Sequence, residues 1–211
     1  MSPRPQYSAG EVEAKRAIIL ESALAQIVKR GPEAVRMKDV AKDAGVSVGT
    51  VQYYFGSRED LLVQAFSTHS SSVVEDIAGL SQTHGSAWEK VQSSLWAFPS
   101  IGDLRRRSQI WIELVAVSSR NDYLRASVDE VFDKWGAHFR AIIDTGIRDG
   151  SFRPRADTDL IVDTLIAAID GFDVAVVAGR GSTSPDRIVK SLEITAAAAL
   201  GVDMTREPEY E

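Results

Sequence analysis

The chain has 211 residues, 44% hydrophobic and 26% charged, with a formal charge of −6, which excludes a disordered or fibrous protein and allows one large domain or two small ones. It contains no cysteine, so a disulfide framework, a thiolate metal site and a cysteine nucleophile are excluded; its histidines, at 69, 84 and 138, are too scattered for a metal site by spacing. The acidic total argues against a nucleic-acid partner until it is divided. Residues 1–66 hold nine basic and eight acidic side chains, and residues 67–211 hold fifteen and twenty-two.

Met1–Gly10 is polar, lacks the apolar stretch of a signal peptide and reads as a disordered tail. Val12–Lys29 repeats apolar residues at helical spacing (Ile19, Leu20, Ala23, Leu24, Ile27, Val28), and Gly31-Pro32 ends that helix. Met37–Ala44 reads as a short helix closed by Gly45, and Val48–Phe55 as a second one with Ser47 as its N-cap. Ser57 caps the next helix, which carries Leu62, Phe66, Val73, Ile77 and Leu80 on one stripe. Gly85–Phe98 and Asp103–Ser118 follow, separated by Pro99. Asp122–Asp149 turns Leu124, Val128, Val131, Trp135, Phe139 and Ile142 inward. Asp157–Ala178 is the next helix; its run Leu160–Ala178 is apolar enough to suggest a membrane span, but Asp163, Asp170 and Asp173 make it a buried soluble helix, and the protein is expected to be cytoplasmic. Pro185–Leu200 completes about nine helices, and residues 203–211 read as a second tail. No period-two strands or hairpin turns compete. The expected fold is all-α, with an N-terminal module over 11–68 and a larger helical domain over 69–202.

The segment Met37–Phe55, MKDVAKDAGVSVGTVQYYF, places two short helices about a tight turn behind a third helix, the layout of a helix-turn-helix whose second helix enters the major groove. Ala41 is small enough for close helix approach, and Gly45 can take the positive φ of the turn. Val40, Val46, Val51 and Phe55 fill a small core, which leaves Val48, Gly49, Thr50, Gln52, Tyr53 and Tyr54 facing outward.

The stretch VAKDAGVSVGTVQYYFGSREDLL resembles the DNA-binding signature of TetR-type transcriptional regulators. The resemblance implies a homodimer, each subunit joining such a module to a helical effector domain, that occupies a palindromic operator until a small molecule releases it. GVSVGTVQYYF and the later Trp-Ile-Glu-Leu stretch are similar to the betaine-pathway branch of that family. Carried over position by position, Ser47 and Thr50 would touch phosphate or base edges, Gln52 and Tyr53 would read bases, and Val48 and Gly49 would line the groove wall. Tyr54 would donate its hydroxyl to a phosphate, and Arg58 would clamp another. Two departures stand out. Gln52 replaces a common aromatic residue, and Arg36 replaces a common Ser or Thr N-cap. Arg36 with Lys38 is either a phosphate contact or a solvated pair.

All four tryptophans lie after residue 87. Trp88, Trp96, Trp111, Trp135 and Phe139, with Phe98, Tyr123, Phe132 and Phe172, form either a bundle core or the wall of an effector pocket. His69 falls in a gap of its helix's apolar stripe and is either an effector-sensing residue or a satisfied, partly exposed one. Asp159, Asp163, Asp170 and Asp173 share one helix face. The first two suit the helix dipole, whereas Asp170, Asp173 and also Glu113 are candidates to hold a cationic effector. Arg105-Arg106-Arg107 reads as a solvated face. Small residues in the last two helices (Ala167, Ala168, Gly171, Ala196–Ala199) would permit pairing with a second copy. Two alternatives remain: an all-helical binding protein or enzyme that keeps a helix-turn-helix, and a DNA-binding activator without a ligand. No phosphate loop, HExxH or nucleophile elbow supports an enzyme, and no cofactor is expected.

Overall fold

The structure is a computed structural model that describes residues 8–81, 85–181 and 183–204. Among these residues there are nine α-helices and no strand: α1 (Ala9–Arg30), α2 (Met37–Asp43), α3 (Val48–Phe55), α4 (Arg58–Ser81), α5 (Ala87–Ser100), α6 (Leu104–Ser118), α7 (Asp122–Arg148), α8 (Thr158–Val177) and α9 (Pro185–Leu200). A single 3-10 turn, Pro32–Ala34, links α1 to α2. The all-helical reading of the sequence therefore stands. The expected tails over 1–7 and 205–211, with His84, lie outside the described residues.

Helix starts follow local chemistry. The first backbone N–H groups of a helix have no partner within it, and a short polar side chain satisfies one of them. Ser8 and Glu11 form a reciprocal capping box, which starts α1 at Ala9, inside the stretch expected to be a tail. Ser57 and Asp60 do the same for α4, and Ser86 and Glu89 for α5. Asp103, Asn121, Asp157 and Ser184 cap α6 to α9. Only α2 has no side-chain cap, because Arg36 occupies that position.

Pro99 does not end α5. It sits inside the last turn, where its missing N–H costs the helix the bond to the Leu95 carbonyl alone, and the chain leaves after Ser100. Of the arginines expected to form a solvated face, Arg105 is exposed yet donates to the Val176 carbonyl at 2.9 Å, whereas Arg107 is half-buried, donates to the Phe98 carbonyl and lies over the Phe98 ring. Both serve carbonyls near the C-terminal ends of helices, where a cation is favoured.

The chain divides into two compact units. The first comprises residues 1–69 and 113–127. Its core is built by Ile19, Leu20, Ala23, Leu24 and Ile27 of α1 with Val40, Ala41, Val51 and Phe55, all buried; Val46, expected in this core, is half-buried. The second comprises residues 70–112 and 128–211. Here α9 packs on α5 and α8. Leu95, Phe98, Phe139, Ile143, Leu165 and Leu192 are at its centre. Gly146 of α7 is held against the Phe152 ring, with the Phe152 N–H on the Gly146 carbonyl at 2.8 Å. A side chain at 146 would occupy the space of that ring.

Candidate functional site

In the first unit the turn between α2 and α3 is set by Gly45, at φ 67°, and by the Val46 N–H donating to the Ala41 carbonyl at 2.9 Å. Ser47 then caps α3: its Oγ accepts the Thr50 N–H at 3.0 Å and lies 2.8 Å from the Thr50 hydroxyl. With Val51 and Phe55 buried, the 100° advance per residue turns positions 48, 49, 52 and 53 away from the core. Ser47, Val48, Gly49, Gln52 and Tyr53 are exposed, Tyr53 by 85%, while Thr50 and Tyr54 are half-buried. The rings of Tyr53 and Tyr54 meet edge to face at 5.3 Å. Arg36 and Lys38 are exposed on α2 and its approach.

Arg58, expected to clamp a phosphate, is held by the chain that leads into α2. Its guanidinium is turned inward, with Nε 2.8 Å from the Val35 carbonyl and Nη2 2.5 Å from the Pro32 carbonyl, while Nη1 pairs with Glu59 at 3.2 Å. Three of its five N–H donors are engaged, two of them by the chain that leads into α2.

In the second unit a cavity of 410 Å³ lies between α7 and α8. Phe132, Asp133, Gly136 and Arg140 line it from α7, and Val162, Asp163, Ile166, Ala167 and Asp170 from α8. One end is aromatic. The Trp111 indole N–H donates to Asp170 Oδ1 at 3.0 Å, and the Trp111 and Phe132 rings meet edge to face at 5.6 Å. At the other end Arg140 is engaged by Asp159, with Nε 2.9 Å from Oδ1. Among the described residues Asp133, Asp163 and Asp170 form no ion pair, so the cavity carries more negative charge than its arginine can balance. Burial pushes the Asp170 carboxyl above its ordinary range, against the Trp111 hydrogen bond, which lowers it.

Of the residues singled out in the sequence for an effector, Asp170 lines this cavity and Trp111 supports it. Trp135 and Phe139 instead stack on each other at 5.5 Å in the core, and Trp88 packs against that core. Trp96 is 57% exposed and lies outside the core cluster, a departure from its expected inward position: it follows the fully buried Leu95, so the helical advance carries it outward. Asp173 is buried and accepts the Ser108 hydroxyl at 2.5 Å. His69 and Glu113 belong to the first unit, where both are half-buried. Burial, and then Glu33, pushes the Glu113 carboxyl up. Phe132, one of the aromatics weighed for a pocket, does line it, but the sequence reading missed its neighbours Asp133, Gly136 and Arg140 on the same helix. Their four-residue rhythm on α7 was the available signal, but it also fits a solvated helix face.

Comparison with known proteins adds three findings. Residues 19–65 match the model for bacterial regulatory proteins of the tetR family, and residues 92–201 match the model for the C-terminal part of BetI-type transcriptional repressors. The chain is 26% identical over 199 residues to the HTH-type transcriptional regulator PksA of Bacillus subtilis, covering 93% of this chain and 95% of that protein. It is 30% identical over 203 residues to the HTH-type transcriptional repressor KstR of Rhodococcus jostii, covering 92% and 86%. Among solved structures, a transcriptional regulator from Saccharomonospora viridis in complex with choline is similar with a TM-score of 0.77 and 28% identity, over 86% of this chain and 95% of that one.

Proposed function

The chain belongs to the TetR family of DNA-binding transcriptional regulators, and from that premise we propose that it is a ligand-responsive repressor that reads its operator with α3 as a homodimer. The observation that carries this reading is the face of α3. A helix of eight residues is fixed by the Ser47 cap and by Val51 and Phe55, and it offers Val48, Gly49, Gln52 and Tyr53 to solvent. Gln52 can hydrogen-bond adenine in two places, and the Tyr53 ring can pack on a thymine methyl. Ser47, Thr50, Tyr54, Arg36 and Lys38 supply hydroxyls and cations at the flanks for phosphate. Arg58 fixes the approach to α2, and its remaining N–H donors are available for a phosphate.

The effector is an organic cation held in the cavity between α7 and α8. The unbalanced carboxylates of Asp133, Asp163 and Asp170 and the rings of Phe132 and Trp111 support this chemistry, and the S. viridis neighbour holds choline. The dimer forms through α8 and α9, where Leu160, Val174 and Ile194 are 61%, 55% and 53% exposed.

A gel shift with the DNA upstream of the protein's own reading frame tests the repressor reading. A specific shift is expected, weakened about 5- to 150-fold by Tyr53→Ala, since one lost base contact costs about 1–3 kcal/mol. Choline or a related quaternary ammonium should release the DNA, and Asp170→Asn should abolish that response. No specific shift, or a shift indifferent to Tyr53→Ala, would overturn the reading.

A further inference from the structure

Arg16, on α1, makes three contacts that converge on the end of α3. Its Nη1 donates to the Tyr54 carbonyl at 3.1 Å, and its Cζ lies 4.9 Å from the centroid of the Phe55 ring. Its Nη2 donates to Gln64 Oε1, on α4, at 2.5 Å. Tyr54 and Phe55 are the last two residues of α3, and the Tyr54 carbonyl is one that the helix itself leaves unpaired. The side chain is half-buried, so these contacts are partly shielded from water. The guanidinium is planar and rigid, and its fork can donate to two acceptors while its face lies on a ring. A lysine at this position keeps the charge but lacks the planar fork that holds two acceptors and a ring at once.

The consequence is mechanical. At its start α3 is fixed by the Gly45 turn and the Ser47 cap. Val51 and Phe55 bury one side of the helix and so set which face turns outward. A tie from α1 to the Tyr54 carbonyl, shared with α4, holds the C-terminal end of α3 at that rotation, and with it the direction in which Gln52 and Tyr53 point. We propose that Arg16 is a positioning residue of the recognition helix, acting through the Tyr54 carbonyl, the Phe55 ring and Gln64 without touching DNA itself. This inference rests on the assignment of α3 as the recognition helix.

The test compares the full chain with Arg16→Ala, Arg16→Lys and Gln64→Ala, binding each to its operator and to a random duplex over a salt series. Amide hydrogen exchange at Gly56, whose N–H closes α3 on the Gln52 carbonyl at 2.8 Å, is followed alongside. Arg16→Ala is expected to lose roughly tenfold or more on the operator, the size of one mismatched base pair, and to keep wild-type affinity for the random duplex. Arg16→Lys should fall between, Gln64→Ala should lose a few-fold in the same pattern, and Gly56 should exchange faster in Arg16→Ala. Equal losses on both duplexes, with the salt slope reduced by about one, would overturn the proposal in favour of a phosphate contact. Should Arg16→Ala fail to fold, Arg16→Lys and Gln64→Ala decide: unchanged operator affinity in both overturns it. A Tyr53→Ala control without effect would instead overturn α3 as the recognition helix, and Gly56 exchange judges the Arg16 tie in either case.

Discussion

Burial in α8 pushes the Asp173 carboxyl up to about 7, with Asp170 adding to the shift and the Ser108 hydroxyl and Arg107 opposing it. An acid whose folded-state value lies above its unfolded value of 3.8 binds its proton more tightly when folded, so between pH 4 and 7 the folded state holds the extra proton. Stability from this group is therefore greatest below pH 4 and declines as pH rises through 7. Asp173→Asn removes the titration, so its stability relative to the parent should rise by up to a few kcal/mol between pH 5 and pH 8. Urea unfolding at the two values checks this, and a difference that does not change with pH would mean the carboxyl is ionised throughout. The sequence put Asp173 among candidate ligands because apolar neighbours surround it. Its partner, Ser108, lies 65 positions away, and no local spacing could have revealed that bond.

The helices divide between those whose limits follow from neighbouring residues and those set by distant ones. Ser47, Ser57 and Gly45 act within a few positions of themselves, and their roles were legible in the sequence. The continuation of α5 through Pro99, and the Arg107 donation to the Phe98 carbonyl from the next helix, were not legible. For α3 the cap matters more than for a long helix, because eight residues are too few to be helical without outside support. Ser47→Ala should cost about 1 kcal/mol of stability, read as a lowered melting temperature, while Ser47→Gly should cost less than half of that. In α7, Gly146→Ala should destabilise by roughly 1–3 kcal/mol despite the better helix propensity of alanine, since the new methyl competes with the Phe152 ring. An unchanged melting temperature would show that the 149–157 connection yields.

For the molecule as a whole, a net charge of −6 hid a near-neutral first third and an acidic remainder. The fold class, the helix order and the outward face of α3 followed from periodicity and turn residues. The cavity between α7 and α8 did not, because its lining joins residues of two helices whose facing pairs no pattern specifies. In the proposed dimer α8 serves twice: Asp163 and Asp170 face the cavity, while Leu160 and Val174 form the exposed stripe alongside. A cation drawn to the carboxylates would pull on the same helix that meets the second copy, which is one route from ligand to operator spacing. Leu160→Glu with Val174→Glu should give a monomer in sedimentation and abolish operator binding; a dimer that persists would place the interface elsewhere. The four tryptophans have a further consequence. Trp88, Trp96, Trp111 and Trp135 all fall in the second unit, and the first has none. Indole emission is thus a built-in optical probe of that unit alone, blind to events at α3. Because Trp111 hydrogen-bonds the carboxylate at the cavity's edge, it is the fluorophore whose colour and intensity should change when a cation arrives.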